Sequence, residues 1–147
     1  MTLAEHFTVM ELCDSQTAAR LGLDNTPTPE SIDNLRLRCT TILEPARAAL
    51  GPLRISSGYR APAVNAAVGG SAHSDHMRGF AADVIPVEVD TLTLARWVTQ
   101  WVPYDQVIGE FGTPEQPAWI HVSCAPPLRA QKLRILAGAG YEPWSLV

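Results

Sequence analysis

The stretch QVIGEFGTPEQPAWIHVS, residues 106–123, places two runs rich in β-branched and aromatic residues on either side of the loop GTPEQPA. Short runs of this kind bounded by turn formers read as strands, and the loop makes an antiparallel hairpin of 106–111 with 119–123 the economical pairing. Alternation in the second run puts Ile120 and Val122 on one face and Trp119, His121 and Ser123 on the other. The apolar pair takes the core, so His121 is presented on the opposite face. Glu110, near the end of the first strand, then stands opposite the segment that carries His121.

Upstream of this hairpin the pattern is largely helical. Thr8 followed by Glu11 is a capping-box signature that opens a short amphipathic helix running to about Gly22. Thr28 and Pro29 are an N-cap and first-turn pair, and Ile32, Leu35, Cys39, Ile42, Leu43 and Ala46 recur at helical spacing up to Gly51. LRIS (53–56) reads as a short strand, PAVNAAVGG as a brief helix closed by Gly69, and AADVIP (81–86) as a strand stopped by Pro86. DTLTLARWVTQWV (90–102) reads as a helix burying Leu94, Trp97, Val98 and Trp101. Beyond Pro126 the pattern is ambiguous. Helices early and strands late predict one α+β domain over residues 1–147, with a helical part at about 8–50 and a small antiparallel sheet within about 53–123.

Composition narrows the function classes. A chain of 147 residues, 46% hydrophobic, is enough for one compact core. A net charge of −4, with eleven scattered Lys and Arg, gives no footprint for a nucleic acid. No apolar run is long enough for a membrane span, and an acid at Glu5 stands where a secretion signal carries basic residues, so the expectation is a cytoplasmic chain. Cys13, Cys39 and Cys124 are odd in number and lie among apolar neighbours, as buried thiols in a reducing compartment would.

Chemistry-bearing residues concentrate in SDHMRGFAAD, residues 74–83. Gly79 allows a tight turn between His76 and Asp83, and the β-branched residues after Asp83 place it on a strand. His76 can then fold back toward Asp83. With His121 these make two imidazoles and one carboxylate from separate elements, a ligand set that suits zinc with one position left open. The iron triad of oxygenases normally has its His and Asp two apart on one strand, so this spacing speaks against iron. Spacing alone equally admits a surface His76, a capping Asp83 and a hydrogen-bonded strand His121.

SDHMRGFAAD fits the pattern SxHxxGxAxD, and together with WIHVS it resembles the zinc D-alanyl-D-alanine carboxypeptidase family. HFTVMEL, SSGYRAPAVNAAVGGS and DQVIGEF have counterparts in the same order in its phage and prophage branch, so the likeness spans residues 6–123. That family is related to phage cell-wall endopeptidases and to the hedgehog signalling domain. The resemblance implies a hedgehog/DD-peptidase-like fold and a hydrolase that cleaves beside D-amino acids in peptidoglycan stem peptides. By resemblance His76, Asp83 and His121 hold one Zn2+ per chain, Arg60 clamps a substrate carboxylate, and Ser74 is a polar contact near the metal. Tyr59 and Trp119 are expected to wall the cleft.

One position departs from the pattern. Several members of that family carry an acid three residues before the last zinc histidine, where this chain has Ala118. Glu110 is the preferred replacement as general base, with Glu115 on the connecting loop the other candidate. The missing acid also favours the alternative of an inactive zinc-containing cell-wall-binding or structural module. His73 and His6 are expected at the surface, Asp75 in ordinary loop chemistry, and Asn65 in local packing or capping. The expectation is a monomer, and the likeness to phage lysins implies a chain that accumulates in the host cytoplasm and reaches the cell wall after membrane permeabilisation.

Overall fold

The computed structural model describes residues 1–146. A two-stranded ribbon, β1 (Thr2–Ala4) and β2 (Phe7–Thr8), leads into α1 (Val9–Cys13) and α2 (Gln16–Leu21). The expected single helix from Thr8 to Gly22 is therefore two. Thr8 caps the first by accepting from the Glu11 N–H at 3.1 Å, but the chain becomes extended at Asp14 and Ser15 starts a second helix by accepting from Ala18. Gly22, at φ +66°, ends it. The ribbon before it carried no sequence signal long enough to read.

The helix after Thr28 runs as α3 (Pro29–Asn34), one π turn at Leu35–Cys39, and α4 (Thr40–Leu50). Thr40 Oγ1 bonds back to the Arg36 carbonyl within the widened turn, a bond that competes with the regular helix ladder. Leu35, Cys39, Ile42, Leu43 and Ala46 are all buried and Ile32 packs at their margin, so the expected apolar seam is intact. β3 (Leu53–Ser57), α5 (Pro62–Ala67), a 3-10 turn at Asp75–Arg78, β4 (Ala81–Pro86) and α6 (Thr91–Trp101) follow. In α6, Leu94 and Val98 are buried and Trp97 is half-buried, but Trp101 is 64% exposed. The helix ends at Trp101, and Val102, already extended, packs on the core in its place.

β5 (Gln106–Glu110) and β6 (Trp119–Ser123) form the expected antiparallel hairpin. The chain after Ser123 then supplies β7 (Gln131–Ile135) and β8 (Glu142–Pro143), completing a six-stranded sheet in the order β3-β4-β6-β5-β7-β8. All neighbours are antiparallel except β5 and β7, so the sheet is mixed and not purely antiparallel. The reason lies in the segment after Cys124: it crosses the end of β5 and returns along the far side. Asp105 anchors that crossing by accepting from the backbone N–H and the guanidinium of Arg129.

Register separates the two faces. Ala82, Val122 and Val107 are cross-strand partners, as are Val84, Ile120 and Gly109, and the side chains of these rows pack against α4 and α6. The alternate row, Asp83, His121, Ile108 and Leu133, faces away from the helices. This separation is the basis of the site: one side of the sheet is core, and the other is free for chemistry.

Candidate metal centre

His76 sits in the 3-10 turn, where Ser74 Oγ accepts from its backbone N–H at 3.2 Å. Gly79 closes the turn at φ +80°, and a Cβ there would come within 2.4 Å of the Ser31 carbonyl oxygen, so only glycine fits. The imidazole is 2% exposed, and its Nδ1 lies 2.6 Å from the carbonyl oxygen of Gly58. A carbonyl only accepts, so Nδ1 carries the proton and Nε2 keeps its lone pair. That Nε2 faces Asp83 Oδ1 at 3.4 Å.

Asp83 and His121 are cross-strand partners on β4 and β6, and His121 Nδ1 lies 3.3 Å from the same Oδ1. The two imidazoles meet edge to face at 5.0 Å between centroids. One donor atom from each residue falls within 4.8 Å of the others. Asp83 Oδ1 is buried yet has no hydrogen-bond partner, a costly state unless something else satisfies it. A tetrahedral zinc with donors about 2.0–2.1 Å away spaces neighbouring donors by about 3.3–3.4 Å. The two measured contacts match that edge length, so the residues fit the metal.

Electrostatics agree with ligand duty for Asp83 and His76. Burial opposes charge on Asp83, but the His121 and His76 imidazoles outweigh it and hold the carboxyl well below its usual range. Burial pushes His76 down, favouring the neutral ring that a metal requires. Burial acts the same way on His121, but the Asp83 carboxylate overcomes it and its pKa rises.

An open cleft of about 770 Å³ covers this cluster, and Arg60, Ser74, Glu110 and Trp119 line it. Glu110 is diagonal to His121 on the site face, because its neighbour two residues back, Ile108, pairs directly with His121. The Trp119 indole N–H donates to Glu110 Oε2 at 2.8 Å, and the Phe111 ring packs beside that indole at 5.4 Å. Burial and the Asp83 charge raise the Glu110 carboxyl above its usual range. The Ala118 N–H donates to the Glu110 carbonyl at 3.0 Å, so Glu110 flanks the position where an acid is missing. Glu115 is exposed and does not line the cleft.

Arg60 is half-buried, its Nε is buried without a partner, and no carboxylate among the described residues lies within ion-pair distance of it. Tyr59 does not reach the cleft: it is 3% exposed and packs in the core cluster. His73 is exposed on the cleft rim, Asp75 pairs with Arg78, and His6 pairs with Glu44. Asn65 is buried and donates to the Ser71 carbonyl, the packing role expected of it. Sequence reasoning missed Arg78, Arg129, Leu133 and Tyr141, which also line the cleft. The last three lie in the segment without a readable pattern.

The family model for peptidase M15 matches residues 5–123. The chain belongs to the peptidase M15 family. No curated protein matches the chain. The matched part of this M15 peptidase contains all three candidate ligands, Arg60 and Glu110, and stops at Ser123. The three thiols are unpaired, with Cys39 and Cys124 buried and burial pushing the half-buried Cys13 up to about 11. No helix among the described residues is long and apolar enough to cross a membrane.

Proposed function

We propose that this M15 chain is a zinc peptidase that hydrolyses peptide bonds beside D-amino acids in peptidoglycan stem peptides. The observation that carries the reading is the convergence of the His76 and His121 imidazoles on one buried Asp83 oxygen that has no hydrogen-bond partner, with Glu110 on the same sheet face. His76, Asp83 and His121 would hold one zinc, which when bound supplies Lewis-acid polarisation of the scissile carbonyl and makes water a better nucleophile.

The chain's own residues do the rest. Glu110 takes the proton of the attacking water and later gives it to the leaving amine. A carboxylate on the site face can do both, since it accepts a proton and, once protonated, donates it. The Trp119 indole fixes one oxygen of Glu110 and leaves the other free. Gly58 holds the His76 ring in the tautomer that turns Nε2 toward the site. Arg60 presents a planar fork without a counter-ion, suited to a substrate carboxylate.

The test is mass spectrometry of purified peptidoglycan incubated with the zinc-loaded, metal-stripped and zinc-restored protein, alongside His76→Ala, Asp83→Ala and His121→Ala. The expected result is cleavage that disappears on stripping and returns with zinc, and about one zinc per chain by elemental analysis, lost in all three variants. Binding of peptidoglycan without any turnover would establish the inactive-module alternative instead.

A further inference from the structure

The family match ends at Ser123, but the sheet does not. β7 pairs parallel with β5, placing Ile135 beside Glu110 and Arg134 beside Gly109. β8 pairs antiparallel with β7, placing Glu142 opposite Arg134 and Pro143 opposite Leu133. The residue before Glu142 therefore stands in the row of Ile135, Glu110 and Trp119. Because successive side chains alternate between faces, that residue, Tyr141, shares the face of Glu110 and Leu133. Two strand spacings of about 4.8 Å separate its backbone from that of Glu110, a span that a tyrosine side chain leaning inward can largely cross.

Other observations agree with this register. Tyr141 lines the same cleft as Arg60, Glu110 and the three candidate ligands. It is 60% exposed, whereas Tyr59 and Tyr104 are 3% and 5% exposed. Its hydroxyl has no hydrogen-bond partner among the described residues, although it lies in the field of Glu110, Asp83 and Arg60. Partial burial, then Glu110 and Asp83, raise its pKa, so the phenol is protonated and available as a donor.

We propose that Tyr141 is a substrate-contacting residue whose hydroxyl donates a hydrogen bond to an oxygen of the peptide bound over His76, Asp83 and His121. The segment after Ser123 is then a working part of the site, not an appendage to it. This rests on the peptidase reading given above.

The experiment compares zinc-loaded wild type and Tyr141→Phe on a soluble peptidoglycan stem peptide, with zinc content and melting temperature measured for both. Loss of one neutral hydrogen bond predicts a fall in kcat/KM of roughly 2- to 12-fold at unchanged zinc content and melting temperature. A second readout needs no turnover: tetranitromethane nitrates exposed tyrosines, and peptide mass mapping reports Tyr141 separately from Tyr59 and Tyr104. In zinc-loaded Glu110→Gln, the uncleaved stem peptide should slow nitration of Tyr141. Wild-type turnover with no change in Tyr141→Phe and no protection from nitration overturns the role of Tyr141 and leaves the peptidase reading standing. No turnover by the wild type and no protection in Glu110→Gln removes both together.

Discussion

The guanidinium of Arg60 is partly withdrawn from water with its Nε unpaired, an arrangement that costs free energy unless a ligand completes it. Burial pulls its pKa down while Asp83, Glu110 and Tyr141 push it up, so the cation is set within a field of negative and polar groups without touching any of them. If a substrate carboxylate fills the fork, Arg60→Ala should lower kcat/KM by roughly ten- to 150-fold, the value of a charge-assisted contact, with zinc content unchanged. Arg60→Lys should recover little, because one ammonium replaces two parallel donors. Amidating the recognised carboxylate should hurt wild type strongly and Arg60→Ala hardly at all; independent, multiplying effects would remove Arg60 from that contact. Glu110 gives a complementary expectation. Glu110→Gln should keep zinc and fold but lose most turnover, since an amide cannot accept the water proton, whereas Glu115→Gln, altering an exposed loop residue, should be nearly silent. Exchange of those two results in steady-state kinetics would move the base to the loop.

The pairing of β5 with its neighbours depends on a missing side chain. A Cβ on Gly109 would come within 2.8 Å of both Pro117 and the Trp144 indole, which lies over it at 9% exposure. Gly109→Ala should therefore displace Trp144 and loosen β7 and β8, at a cost of about 1–3 kcal/mol of overpacking. Urea denaturation measures the loss, and limited proteolysis should cut the variant first after Ser123. The β5–β6 hairpin was legible because its residues alternate, its loop carries two prolines and its contacts are local. The ligands were legible for a related reason: a glycine turn and two strands fix where His76, Asp83 and His121 point. β7 escaped because QKLRI is half-buried along its whole length and pairs in parallel with a strand 25 residues earlier, Gln106 standing beside Gln131, so no local rule specifies it. Its alternation of Lys132 and Arg134 with Leu133 and Ile135 was the one available signal. Tyr59 and Trp101 show the converse limit, since residue type and period do not reveal which aromatic lies under a turn and which lies at a helix end. Tyr141 was invisible because its place follows from a register two strands removed from Glu110.

One ion pair ties the late strands to the rest of the molecule. Asp105 is 2% exposed and receives three hydrogen bonds from Arg129, whose side chain holds the Asp105 carboxyl below its usual range against the opposing effect of burial. In the unfolded chain that carboxyl returns to about 3.9. The folded pKa being the lower one, the stabilisation is fully present above the unfolded value and is lost as pH falls through the folded value. Asp105→Asn should thus be less stable than wild type by roughly 1–3 kcal/mol at pH 7, with the gap closing in acid; a gap independent of pH would mean the charge contributes nothing. The order of the strands also decides which backbone is left at the sheet edges. An open sheet edge is a row of amide and carbonyl groups able to recruit a foreign strand. Here one of the two outer edges is β8, two residues long and ending in a proline that has no amide hydrogen to offer. The same segment that walls the cleft therefore covers the far side of β5 and keeps Val107 and Ile108 paired within the chain, so edge protection and the cleft wall share one stretch of sequence.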